Sequence, residues 1–246
     1  MQGLLVAARY LTIVPVRGPA DVDGLALGRS APWFPVVGLA LGVALALTDR
    51  LTAWLFPALL GALLTVTVWK LLTGGLHLDG LADCLDGLVA GDPEHRLRVM
   101  RDSRIGAFGA VGLILFLLLE IAALAELPSG LRWRVLLVVP VIGRAMPALL
   151  SLCFPAVPGG RGAAFGAGVQ RRAVLVGLAL AGAIAVAALG ATGLIALVVA
   201  CLASLVLGRF FTTRLGGITG DVLGATVEVA ELAALLTASS WGHWGR

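Results

Sequence analysis

GGLHLDGLADCLDG, from Gly74 to Gly87, sets three aspartates among four glycines inside an otherwise apolar chain. At about 100° per helical residue, Asp79, Asp83 and Asp86 stand at i, i+4 and i+7, within roughly 60° of arc. A second stretch, opening with Gly216, Gly217 and Asp221, places Asp221 and Glu228 seven apart and nearly in register, with Glu231 on the flank. Each helix would then present a stripe of carboxylates. An uncompensated acid at membrane depth costs at least about 2.5 kcal/mol, so something positive belongs between the stripes. Hard oxygen donors at this spacing suit Mg²⁺, which is held by one or two carboxylates plus substrate phosphates. An ion bridging phosphate oxygens stabilises the charge that develops in phosphoryl transfer.

Other residues fit that chemistry. Val99 to Gly109 reads VMRDSRIGAFG, and the planar forks of Arg101 and Arg104 suit a diphosphate or a nucleoside monophosphate; anchoring at the membrane interface is the other reading. Arg144, inside an apolar run, must pair with an internal acid or an anion. Lys70 is expected to snorkel to the interface. His77, in the opening turn of the first stripe, could activate an attacking hydroxyl or position its neighbours. His95 and His243 receive no role. Gly74, Gly75, Gly80, Gly87, Gly216, Gly217, Gly220 and Gly224 let backbone approach a bulky ligand, although no GxxxxGK phosphate loop occurs. The plainer alternative makes Asp79 and Asp221 helix N-caps, but three aspartates on one arc repel each other and are an odd structural face.

The elements that must carry these residues are membrane helices. The 246 residues are 59% hydrophobic and 13% charged, with mean hydropathy +1.01, against about 25% charged in an ordinary soluble domain. Apolar runs over 32–47, 55–72, 106–125, 135–153, 173–189, 194–208 and 221–238 predict an all-α, polytopic helical bundle of about seven spans, with six to eight admissible. One integral membrane domain is expected over 1–246, without repeats. Trp33, Trp54, Trp69, Trp133, Trp241 and Trp244 fall near segment ends, where the headgroup layer holds such rings.

Arginines concentrate in alternate loops, at Arg9, Arg17 and Arg29, at Arg96 to Arg104, at Arg161 to Arg172, and at Arg209 and Arg214. The opposite loops keep Arg50, Arg132, Arg134 and Arg246. The positive-inside rule then places the N-terminus and both polar acidic loops in the cytoplasm. The first sixteen residues lack the marks of a cleaved signal and suggest a surface-lying or re-entrant helix. Scattered arginines form no contiguous track, which excludes nucleic acid as a partner. Cys84, Cys153 and Cys201 lack paired spacing and are read as small buried apolar residues.

GGLHLDGLADCLDG, then RDSRIGAFG, then GGITGDVLGA, with FPVVGLALG from Phe34 to Gly42 ahead of them, resemble the cobalamin synthase family of adenosylcobinamide-GDP ribazoletransferases. The resemblance covers nearly the whole chain. It implies a multi-pass enzyme of the bacterial inner membrane, dependent on Mg²⁺, with its active site facing the cytoplasm. Such an enzyme joins adenosylcobinamide-GDP to α-ribazole or its 5′-phosphate and releases GMP, and other corrinoid-pathway enzymes are candidate partners beside the lipid bilayer. Carried onto this sequence, Asp79, Asp83, Asp86, Asp221 and Glu228 become metal ligands. Asp83, His77 and Asp102 become catalytic residues, His77 as base and Asp102 orienting Arg104 or joining the metal shell. Arg101, Arg104, Arg144, Gly74, Gly75, Gly216 and Gly217 become the phosphate-binding set.

Two rivals differ from this pattern. The CDP-alcohol phosphotransferases also carry an acidic membrane motif, but they follow DG-x-x-A with Arg, where this chain has Asp83 after Ala82. A cation-coupled transporter would use acids along a helix, yet paired broken helices in two matching halves are missing.

Overall fold

A backbone that meets no water must satisfy its own N–H and C=O groups, and α-helices do so segment by segment. The computed structural model describes residues 2–16 and 22–244, the last three by backbone alone. Arg17, Arg246 and the side chains of His243 and Trp244 lie outside the described residues. The helices are α1 (Gln2–Leu11), α2 (Gly24–Arg29), α3 (Phe34–Leu55), α4 (Ala58–Leu72), α5 (Leu76–Leu88), α6 (Pro93–Val99), α7 (Ala107–Glu126), α8 (Ser129–Cys153), α9 (Arg161–Gly168), α10 (Arg171–Leu189), α11 (Ala191–Leu215) and α12 (Gly220–Trp244). Among the described residues no β-strand forms, only a parallel bridge between Ala156 and Ile218.

Among the described residues six helices are long and apolar enough to cross a membrane: α3, α7, α8, α10, α11 and α12. α8 is the axis. Its apolar residues point all round, so it is buried on nearly every side, and α3, α10, α11 and α12 pack against it. α3 approaches it backbone to backbone, since a Cβ on Gly38 would stand 2.5 Å from the Pro140 carbonyl oxygen and one on Gly42 2.7 Å from that of Leu137. The ion pair of Arg132 Nη2 with Asp49 Oδ1, 2.6 Å, ties the same two helices where both groups are buried. Outward positions of α7 (Ile114, Leu115, Leu118) and α11 (Val198, Leu202, Val206) are exposed and apolar, as lipid-facing surface requires.

The expected span over 55–72 turns out shorter and bent. α4 has 15 residues, and the chain turns 91° into α5. The corner is Gly74 and Gly75, at φ +62° and +68°, a left-handed backbone that side-chain-bearing residues rarely adopt. α5 is therefore not one of the six spans but a 13-residue helix laid against α12. The two cross where a Cβ on Gly80 would meet the Asp221 carbonyl oxygen at 2.7 Å, with Gly224 facing His77 and Gly80 across the same contact. α1, α2 and α9 are short helices, the last two held backbone to backbone through Gly28 and Gly168.

Two smaller expectations need correction. Trp69 is 1% exposed and belongs to the core, whereas Trp54, at 87%, is a surface ring as expected. Of the cysteines, Cys84 is buried but Cys153, at the end of α8, is exposed.

Because Gly80 sets the approach of α5 to α12, Gly80→Val should lower stability by about 1–3 kcal/mol, the usual cost of overpacking. Thermal melting in detergent followed by circular dichroism measures it. Gly91→Ala, whose added methyl meets nothing within 4 Å, is the control; equal melting of the two variants would remove the crossing as a determinant.

Candidate active site

At the Gly80 crossing the two acid-bearing segments come together. Asp79 and Asp221 open onto an enclosed cavity of about 430 Å³ that is also lined by His77, Arg161, Tyr10 and Phe165. At its C-terminal end α5 borders an open groove of about 870 Å³, lined by Asp86, Asp102, Arg104, His95 and Phe108. Asp83 lies between. Partial burial, reinforced by the charges of Asp79, Asp221 and Asp86, pushes its carboxyl up to about 7. That influence shows four carboxylates close enough to oppose one another's ionisation, which favours a cation among them. Their oxygens do not converge into one tight shell. Among the described residues the three-acid group that does so, within 4.8 Å, is Glu120, Glu228 and Glu231.

Neither Asp79 nor Asp221 caps its helix. Gly75 occupies the N-cap of α5, and at α12 the Val222 N–H donates to Thr219 Oγ1, which itself donates to Asp221 Oδ2 at 3.3 Å. Asp86 is the acid that caps, and it caps another helix. Gly106 N and Gly109 N, at the start of α7, donate to its two oxygens at 2.7 Å each. Both glycines press on this carboxylate so closely that a Cβ would displace it. A negative group suits a helix N-terminus, so Asp86 is a positioning residue where a metal ligand was expected.

Asp102 accepts from Arg104 through Nε and Nη2, the shorter contact 2.7 Å, and from the Arg104 amide. These bonds pull its carboxyl down to about 2. Asp102 thus orients Arg104 toward the groove, in keeping with one of its two expected roles. Arg101 is exposed and borders neither cavity.

Beneath the aspartates lies a buried charge cluster that reassigns three residues. Lys70 does not snorkel; its Nζ stands 2.9 Å from Glu120 Oε1 and 2.5 Å from Glu228 Oε2. Glu228 is therefore neutralised by an ammonium instead of joining the aspartates as a metal ligand. Arg144, 1% exposed, pairs with Glu231 and reaches no phosphate site, because a guanidinium in the middle of the axial helix needs an internal acid. His77 is 4% exposed. Burial, followed by the charges of Arg144 and Lys70, lowers its pKa well below the usual imidazole value. It stays neutral at ordinary pH, a weak base suited to positioning.

The phosphate-binding expectation for four glycines also changes. Gly74 and Gly75 make the α4–α5 corner, Gly216 ends α11 at φ +79°, and Gly217 lies against the Ala156–Val157 backbone. None borders either cavity. Sequence reasoning passed over Tyr10, Arg161 and His95, which do. The available signal was Arg161 between Gly160 and Gly162, in a loop assigned to the same side as both acidic stretches.

The family model described as Cobalamin-5-phosphate synthase matches residues 3–239. Curated relatives named adenosylcobinamide-GDP ribazoletransferase include that of Stutzerimonas stutzeri, 42% identical over 239 residues, covering 96% of this chain and 97% of the relative. That of Pseudomonas paraeruginosa is 41% identical over 239 residues, with 96% and 97% covered. That of Geotalea daltonii is 39% identical over 234 residues, with 94% of each chain covered. No solved structure matches the chain.

A divalent ion, were one held among Asp79, Asp83 and Asp221, would compete with the proton on Asp83, whose carboxyl is pushed up to about 7. Affinity therefore rises with pH, and Mg²⁺ or Mn²⁺ should bind about tenfold more weakly at pH 6 than at pH 8, the factor of one pKa unit. Calorimetry on the detergent-solubilised protein reads this, and Asp83→Asn should flatten the dependence; a wild-type affinity that ignores pH would contradict the cluster. Separately, Lys70→Met strands Glu120 and Glu228 in a dry interior and should destabilise the protein by about 3–5 kcal/mol in chemical unfolding, with Lys70→Arg losing less.

Proposed function

The chain belongs to the cobalamin-5-phosphate synthase family, and we propose from that premise that it is a Mg²⁺-dependent adenosylcobinamide-GDP ribazoletransferase of the bacterial inner membrane, its site at the cytoplasmic end of the bundle. The observation that carries the chemistry is the meeting of two acidic segments, remote in sequence, between an enclosed cavity and an arginine-bearing groove. The multi-pass character follows from six apolar helices of spanning length. The cytoplasmic placement is supported by the arginine-rich loops.

In the reaction a ribazole hydroxyl oxygen attacks the phosphorus bonded to the corrinoid side of the diphosphate. The P–O bond to the GMP moiety breaks, GMP leaves with that oxygen, and the hydroxyl proton is released. Asp79 and Asp221 would hold Mg²⁺, which supplies neutralisation of the phosphate oxygens. Their donor type fits, because both are carboxylates at a cavity mouth without a protein cation bonded to them among the described residues. Asp83, with a proton affinity matched to neutral pH, accepts the proton of the attacking hydroxyl. Arg104, pre-aligned by Asp102, grips the diphosphate from the groove. Asp86 keeps the start of α7, and with it the Arg104 loop, against α5.

Asp83→Asn conserves volume and removes the proton acceptor. Purified in detergent, with Mg²⁺ and both substrates, wild type should release GMP without any membrane gradient, while the variant loses at least about a hundredfold in kcat. Undiminished Mg²⁺-dependent turnover by a folded Asp83→Asn protein would refute the assignment.

A further inference from the structure

The two cavities flanking α5 differ in what they can enclose. The cavity on the Asp79 side is the smaller, and its lining mixes apolar side chains such as Leu11, Leu27 and Leu223 with charged ones. Three rings form a ladder along it: Tyr10 and Phe34 have centroids 6.5 Å apart at 18°, and Phe34 and Phe165 5.8 Å apart at 27°. Arg161 lies close enough for its charge to act on both Asp221 and Tyr10. Among the described residues the cavity's polar side chains are those of Tyr10, His77, Asp79, Arg161 and Asp221.

We propose that this cavity seats the acceptor nucleoside, its base along the Tyr10–Phe34–Phe165 ladder and its 5′ end at Arg161, so that Arg161 sets the preference between phosphorylated and unphosphorylated acceptors. The inference rests on the transferase reading above. A volume of about 430 Å³ falls in the range that encloses one small molecule, whereas a corrin ring carrying a nucleoside diphosphate is far larger and belongs in the open groove of about 870 Å³. The base of ribazole is largely apolar and suits the aromatic part of this lining. Offset aromatic faces are the favoured surroundings for such a base. Arg161 makes no ion pair among the described residues, so its fork is available to two phosphate oxygens. The cavity also opens on Asp79 and Asp221, which brings an acceptor hydroxyl to the carboxylates that handle the diphosphate.

The experiment measures GMP release by the detergent-solubilised full chain with adenosylcobinamide-GDP, Mg²⁺ and either α-ribazole or its 5′-phosphate. In Arg161→Ala the ratio of kcat/KM for the phosphorylated acceptor to that for the unphosphorylated one should fall about tenfold or more, with Arg161→Lys recovering part of it. Arg104→Ala should raise the KM for adenosylcobinamide-GDP and leave that ratio alone. Tyr10→Ala, at a ring already 43% exposed and thus tolerant of truncation, should raise the KM for both acceptors together. An Arg161→Ala protein with an unchanged ratio, or with its loss confined to the KM for adenosylcobinamide-GDP, would overturn the assignment while the transferase reading stands. Wild type that releases no GMP with either acceptor would end both.

Discussion

The contact on which the site depends is the crossing of α5 and α12, made backbone to backbone because residue 80 has no side chain. It draws together carboxylates that repel one another, and a crossing of that kind does not hold by apolar contact alone. The opposing force comes from just below. Lys70, on the helix that leads into the glycine corner before α5, is clamped between Glu120 of α7 and Glu228 of α12, while Arg144 of α8 holds Glu231 of α12. In a dry interior such pairs add little net stability compared with apolar packing, but breaking one is severe. Their consequence is geometric: α12 cannot rotate or slide against α4, α7 and α8 without separating buried charge.

The acids in and around the site and in the buried charge pairs then sort into two kinds. Asp49, Glu120, Glu228 and Glu231 each face a cation supplied by the protein, Asp86 is taken up by two amides at the start of α7, and Asp102 holds Arg104. Asp79, Asp83 and Asp221 oppose one another and make no ion pair among the described residues, Asp221 accepting from Thr219 and feeling the charge of Arg161. Proteins neutralise the carboxylates they need for folding, so a set left mutually opposed at a cavity mouth is the one reserved for an external cation and a ligand. Sequence periodicity alone does not make this distinction, because both kinds of acid sit on the same helical stripes.

That is why the helices were legible and parts of the site were not. Composition and apolar run length identify a bundle of membrane helices, and the seven segments match observed helices, though α3 runs on to Leu55 and α11 to Leu215 beyond their expected ends. The pairing of the Asp79 and Asp221 stretches could be read from a shared Gly-Gly-x-x-x-Asp pattern and from charge bias. The partners of Glu228, Arg144 and Lys70 could not, since they are chosen by which helices touch, and long-range contact leaves no periodic trace. The bend at Gly74 and Gly75 was hidden for a related reason. Glycine pairs in membrane helices serve close packing, turns and ligand approach alike, and only the φ values decide among them.

The charge clamp also bears on what the site can do. A route for ions through the bundle would have to continue from the aspartates past His77 toward the middle of α12. There it meets Lys70 and Arg144, two buried cations whose pairs link α4, α7, α8 and α12. The three glutamates at that level outnumber its two cations, so the barrier is not charge repulsion: opening the path would mean parting buried ion pairs in a medium without water. The cavity is thus closed below and bordered by α5 at its side, while the groove beyond α5 is open. A more enclosed pocket toward one end of a carboxylate-bearing helix and an exposed one toward the other suit two molecules meeting along the helix for group transfer better than one ion passing through it.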